Sequence, residues 1–440
     1  MNAVTAVAGA ADDGTRTPGE TTTEAERDDS ERGPERDSGS EIDLSDGRGS
    51  APVASGVFDR RLDRQVLVVG ETVTALTLAT LLARAGYDPV LAPGAGPPAV
   101  SRVACLWPSG RRALAAVGVG APVREYGTAI ESVSVERVDA TGRSDRTLSP
   151  VADASTEPLV VVGTERVRRP LEASLPAGVR RLDRAVEAVS PSDGGVDAEF
   201  DDGVRERFDV VVDAAGRAGA VRPRGRDSPE SVTLSQYETP VDTDAVEPDG
   251  VREVWYPDAL AQWVPTEGES SYLLRVTTAG DDPAVAGPDR DRTALEATTL
   301  PTDLSDVDPT AVRQVPVRRA DPVEAWWGEG RVAACGAAAC PVAPASGARV
   351  SLGVDDALAF VAALTAGGRP AADVTAAYAA GRARRFRTVR RTAAAARTAH
   401  DYPVPDATEA PLSGVSLFRT VALGSFLGAG LPSLRRDGSV

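Results

Sequence analysis

The sequence predicts an α/β fold: a parallel sheet flanked by helices, with a β-rich domain inserted into it. Three observations predict it. The stretch VLVVGETVTALTLATLLARAGYDPVLAP, Val66 to Pro93, runs from an apolar strand through a short turn into an apolar-faced helix and back to a strand. Two further apolar strands that end in small residues, DVVVDAAG and GRVAACG, lie far downstream. Between them VTLSQYE, REVWYP, AQWVPTE and SYLLRVTT alternate like the strands of an antiparallel sheet. Strand–helix units at both ends of a strand-only region are the pattern of an α/β layer structure that carries an insertion.

In chain order, residues 1–57 have no aromatic side chain and carry 13 acidic against 5 basic residues, close to half of the chain's net charge of −17. Such a segment buries too little apolar area to offset its ordering entropy and is expected to be disordered. Order begins near Arg64. VLVVG reads as a buried strand, Ala75 to Gly86 as a helix with Gly86 closing it, and YDPVLAP as the next strand. In ACLWPSGRRALAAVGVG a helix starts at Pro108, and Gly118 and Gly120 close it. LVVVGTERVRRPLEASL gives a strand and a short helix. RAVEAVSPSDGGVDAEFDDGVRERFDVVVDAAG gives three strands joined by the turns Asp193-Gly194-Gly195 and Asp201-Asp202-Gly203. After the alternating region, Val350 to Leu364 and the Arg-rich Tyr378 to Ala399 read as helices. The expected organisation is an α/β domain over 64–231 and 318–400, an antiparallel-sheet domain over 232–317, and a helical extension over 401–440. In that extension VSLFRTVALGSFLGAGL, interrupted by Arg419, is too short and broken for a membrane span and reads as a packing helix.

Composition narrows the chemistry. Lysine is absent, so every fixed cation is an arginine, and acidic residues outnumber basic ones by 65 to 48. This is the balance of a chain from a salt-loving, haloarchaeal-type organism, whose surface carboxylates stay hydrated while salt screens their repulsion. A charge of this sign argues against nucleic acid as a partner. Cys105, Cys335 and Cys340 form no disulfide framework, and with no secretory leader they place the chain in a reducing, cytoplasmic setting. His400 is the only histidine, which removes histidine-based triads and argues against a metal centre.

Four motifs in this order resemble those of the FAD-dependent aromatic hydroxylases, the group A flavin monooxygenases: the first strand–turn–helix; LWPSGRRALAAVGVG; DVVVDAAGRAGAVR, Asp209 to Arg222; and GRVAACGAAACPVAPASGARVSLGVDDA, Gly330 to Ala357. The last matches GRVxLxGDAAHxxxPxxGxGxxxAxEDA without a gap. The resemblance covers roughly Arg64 to His400. It implies a Rossmann-like FAD-binding domain with an inserted β-rich substrate domain. It also implies NAD(P)H as transient reductant and hydroxylation or epoxidation of a small apolar organic substrate. It places the cofactor at Gly70, Thr72, Ala75, Gly336, Ala337, Pro344, Gly347 and Arg349. Trp255, Tyr256 and Trp263 would line the substrate pocket, with sheet packing as their ordinary role. No residue is specific enough to name as catalytic.

The departures from the family pattern cluster on the cofactor. Gly70 keeps the tight bend and Ala75 substitutes for the third glycine, but Thr72 stands where the second glycine lets the backbone approach pyrophosphate. Glu71 beside it puts a carboxylate at a helix N-terminus, where it repels an anion and is placed to cap the helix itself. Ala92-Pro93-Gly94 lacks the ribose-binding acid, Ala337 replaces the family's aspartate, and Arg349 replaces a glycine at a helix start, reaching to solvent or filling the vacated space. Two readings follow: a monooxygenase-like oxidoreductase with a weakened flavin site, and a non-catalytic descendant that has lost FAD and acts as a binding or scaffold protein. Trp326 and Trp327 are expected between domains, the cysteines as small buried hydrophobes, and Arg102, Arg111 and Arg112 as solvated surface.

Overall fold

The computed structural model describes residues 65–96, 101–138, 144–150, 158–216, 232–242, 246, 250–255, 259–267, 271–279, 312–319, 326–339, 349–366 and 371–383. The expectations for 1–57, 401–440 and the distal half of the Arg-rich helix lie outside these residues.

The founding unit is β1 (Gln65–Val69), α1 (Val73–Arg84) and β2 (Asp88–Ala92). Val66 to Val69 are fully buried, as expected of a strand covered on both faces. Gly86 follows the C-cap Ala85 at φ +82° and lets Tyr87 N–H reach back to the Leu82 carbonyl. β1 lies between β2 and β12 (Val210–Asp213) and pairs parallel with both. The six-stranded sheet continues through β19 (Val332–Ala334) to β18 (Gly328–Glu329) on one side and to β8 (Arg180–Arg181) on the other. All these pairs are parallel except β18 with β19. The strand order reverses at β1, and in open α/β sheets that is where a crevice forms beyond the strand ends.

The stretch read as three strands forms four. β9 (Val186–Ser192), β10 (Gly195–Phe200) and β11 (Arg205–Phe208) make an antiparallel meander, with Gly194 and Gly203 at φ +78° in its turns. The chain then switches at Asp209, whose carboxylate accepts Gln65 N–H at 2.9 Å while its own N–H bonds the Gln65 carbonyl at 3.0 Å. That pair of bonds ends the meander and starts β12 in the parallel sheet.

α2 (Pro108–Ala116) begins at its proline, and Gly118, at φ +99°, ends it. Gly120, expected to help close that helix, opens α3 (Gly120–Tyr126) instead. A Cβ there would stand 2.9 Å from that of Ala115, so only glycine lets α3 turn back so closely over α2. β3 (Val103–Leu106), β7 (Leu159–Gly163) and β4 (Thr128–Ile130) form a small antiparallel sheet, and α4 (Thr164–Ala173) leaves from β7. α5 (Arg349–Thr365) packs on α1 and α2, and α6 covers residues 371–383.

The inserted region contributes β13 (Val232–Asp242), β14 (Gly250–Trp255), β15 (Ala259–Pro265), β16 (Ser271–Ala279) and β17 (Arg313–Arg319). The sheet has seven strands, because β5 (Ser132–Val138) and β6 (Ser144–Pro150) join it from the stretch assigned by sequence to the α/β domain. β5 pairs parallel with β14 and every other pair is antiparallel. Parallel neighbours distant in sequence leave no local signal, which hides this membership. Val133, Val251, Val264 and Leu273 join the main core through one face of the sheet. Tyr237, Val254, Ala261, Trp263, Tyr272, Leu274 and Val276 form a separate cluster, on the other face by alternation.

Candidate functional site

The crevice at the β1 switch point is walled by the turns that follow β1, β2, β12 and β19. Gly70 adopts φ +117°, and a Cβ on it would lie 2.6 Å from Ala215 Cα. The turns after β1 and β12 therefore touch, and Gly70 is required by the protein's own packing. Gly70 N–H bonds the Ala92 carbonyl at 2.7 Å, and Ala214 N–H bonds that of Val69 at 2.9 Å. Thr72 is the N-cap of α1, with extended backbone (φ −81°, ψ 166°). Its Oγ1 accepts the Ala75 N–H at 3.2 Å and donates to the Ala214 carbonyl at 2.8 Å.

This corrects the expectation for Glu71. The cap is Thr72, because the N-cap backbone conformation falls at residue 72 and aims that side chain along the helix start. Glu71 stands half-exposed outside, 3.6 Å from Arg181, which also holds Glu172 at 2.8 Å.

The opposite wall is the 3-10 turn Gly336–Ala338. Gly336 has φ +63°, and a Cβ on it would stand 3.1 Å from Gly353 Cα in α5. Its N–H is held by Asp356 Oδ2 at 2.7 Å, and the other Asp356 oxygen pairs with Arg382 of α6, both side chains almost wholly buried. Burial works against the charge of Arg382, but the Asp356 carboxylate outweighs it and sets its pKa above the ordinary arginine value. Tyr378 donates to the Ala334 carbonyl at 2.9 Å and lies 3.3 Å from Cys335 Sγ. Burial, helped by the charge of Asp356, pushes both the Cys335 thiol and the Tyr378 hydroxyl far up. These groups stay protonated and brace the turn from below.

A second polar layer lies where the seven-stranded sheet meets the α/β part. Glu238, fully buried on β13, accepts from Ser101 Oγ at 2.5 Å and from Arg102 N–H at 2.9 Å. Thr164 holds the same two residues from the far side, donating from Oγ1 to the Ser101 carbonyl at 2.7 Å and from N–H to the Arg102 carbonyl at 2.8 Å. Gln262 Nε2 donates to Glu253 Oε1 at 3.0 Å across β14 and β15. In register the row runs Glu253, Gln262, Arg275, Glu238 over four strands.

Of the residues singled out by sequence, Gly70, Thr72, Ala75, Gly336 and Ala337 come together around the crevice. Arg349 is half-buried at the start of α5. Pro344, Gly347, Tyr256, Cys340 and His400 lie outside the described residues, as does the side chain of Trp255. Trp263 is buried in the second cluster, with Arg252 stacked 5.2 Å above its ring and held by Glu136 at 2.7 Å. Trp326, Trp327, Cys105 and Cys335 are buried in the main core. Arg111, expected at the solvated surface, is half-buried and donates to the Pro158 carbonyl at 2.9 Å.

Sequence reasoning missed Asp356, Arg382, Glu238 and Glu253. Two acids inside the apolar run VSLGVDDALAF were the available signal for Asp356. Glu238 on an alternating strand reads as a solvent-facing residue, and only the packing of the α/β part over it buries the carboxylate. Among the described residues no cluster of His, Cys, Asp and Glu is arranged to hold a metal ion, and no helix is long and apolar enough to cross a membrane.

The residues around the crevice depart from the family pattern for FAD. Thr72 already satisfies the helix donor at Ala75, Pro93 and Gly94 offer no carboxylate to a ribose, and Ala337 offers none at the 3-10 turn. Gly70 and Gly336 are explained by contacts within the chain.

No protein-family model matches the chain, and no curated protein matches it significantly in sequence. Solved structures do match in fold. HpxO of Klebsiella pneumoniae, in complex with FAD and uric acid, is 18% identical over 83% of this chain and 92% of its own, with TM-score 0.62. PqsL of Pseudomonas aeruginosa, in complex with 2-aminobenzoylacetate, is 20% identical over 82% of this chain and 99% of its own, with TM-score 0.61. A 2-methyl-3-hydroxypyridine-5-carboxylic acid oxygenase is 18% identical over 78% and 94%, with TM-score 0.54. At these identities the likeness establishes the fold alone: an α/β domain built on a parallel sheet, with a β-rich partner sheet.

Proposed function

We propose that the chain is a flavin-monooxygenase-like oxidoreductase whose flavin site is weakened, so that FAD is an exchangeable ligand. The observation that carries this reading is the pairing of an intact β1–α1 switch point with Ala337 on the facing turn: the backbone cradle persists and the side-chain contacts to the cofactor are gone. The fold shared with HpxO, which binds FAD and uric acid, supports it. Polar contacts of this kind contribute ~1.5–3 kcal/mol each, so losing two or three weakens binding about a thousandfold or more. The activity to assay is NAD(P)H- and O2-dependent hydroxylation or epoxidation of a small organic molecule, with the sheet face carrying Glu253 and Gln262 turned toward it.

Thr72 and Ala337 also favour a second reading, a non-catalytic descendant that keeps the fold as a binding or scaffold surface. A visible spectrum and FAD fluorescence quenching separate the two. The protein purified in high salt with FAD supplied is expected to be nearly colourless and to quench added FAD with a dissociation constant above about 10 µM. Stoichiometric flavin bands would sink the weakened-site reading. No quenching at millimolar FAD would leave the non-catalytic one.

A further inference from the structure

We infer that Thr72 replaces the dinucleotide's pyrophosphate as an internal ligand of α1, and that the Glu71–Arg181 pair keeps other anions from the rim. The inference rests on the weakened-site reading and identifies which groups weaken it. At the second-glycine position a glycine has no side chain, and the first amides of the helix are left to an anion. Here the Thr72 hydroxyl uses both of its capacities inside the protein, accepting from Ala75 and donating to the Ala214 carbonyl. That second bond matters most, because it ties the helix start to the turn after β12. Together with the Ala214–Val69 bond and the contact of Gly70 with Ala215, it fastens the helix start to the neighbouring turn, so the hydroxyl is not free to turn toward a ligand.

Glu71 is an independent observation. It does not cap the helix and stays at the rim with Arg181, so a negative charge remains beside the positive end of the α1 dipole. The bland alternative is that Thr72 is an ordinary N-cap with no bearing on ligands. It predicts that removing the hydroxyl changes stability alone.

The test is calorimetric titration of ADP and FAD into the full chain and its T72S, T72G and E71Q variants. T72S keeps the hydroxyl and should bind like the parent. T72G should bind both ligands about tenfold more tightly, and E71Q should bind ADP several-fold more tightly at low salt, with the gain fading as salt rises. Folded T72G with parental affinity overturns the inference. If T72G fails to fold, E71Q decides alone, since its half-exposed side chain is dispensable to the fold, and unchanged ADP affinity overturns the inference. Tight FAD binding by the unaltered protein overturns the weakened-site reading itself, and is seen before any variant is made.

Discussion

Gly353 shows how far single atoms determine the crevice. It sits inside α5, where alanine favours a helix by about 1 kcal/mol. A Cβ there would meet Thr74 Oγ1 at 2.0 Å and Thr74 Cβ at 3.2 Å. Thr74 is buried and β-branched, with little freedom to move aside. Gly353→Ala is therefore expected to destabilise by ~1–3 kcal/mol, against its helix propensity. Thr74→Ala in the same chain should recover most of that loss. Urea unfolding of the two single variants and the double variant measures the coupling, and additive effects would show that the two residues do not press on each other. The same scale explains one misread side chain. Glu71 and Thr72 both carry oxygens able to cap a helix. Which one does so depends on the backbone angles at one residue, and the amino-acid pattern does not encode them.

At the scale of an element, α4 is the clearest electrostatic case. Arg168 bonds Glu165 at 2.8 Å and Glu172 at 2.9 Å along one face of the helix. The hydrogen bond from Arg168 holds the Glu165 carboxyl below its ordinary value, and those from Arg181 and Arg168 do the same for Glu172. A carboxylate depressed in the folded state contributes stability that is complete above its unfolded pKa, and that stability is lost as pH falls through the folded value. The loss should begin below the ordinary value of 4.5. Arg168→Met should make the fall of Tm with acid shallower, as thermal melts between about pH 6 and pH 3 will read. These side chains are partly exposed, so the effect is modest. Elements such as α4 and the β1–α1–β2 unit were legible because their signals lie within a few turns of chain. β5 and β6 were not read from the sequence, and the place of β5 beside β14 depends on residues over a hundred positions away. Glu238 was hidden for the same reason: the cover that buries it comes from another part of the sequence.

For the whole molecule the governing quantity is the net charge of −17 with no lysine. Like charges at that density oppose compaction, and salt shortens their reach from about 10 Å at 0.1 M to about 3 Å at 1 M. Tm is expected to climb steadily with KCl over that range and beyond, and a flat profile would remove self-repulsion from the account. The seven-stranded sheet has a different consequence, one for ancestry. Because β5 and β6 come from the first half of the chain and the rest from the second, the sheet is not a cassette. Residues 232–317 passed alone to another gene would arrive with β14 as a raw edge, open to pairing with any strand it met.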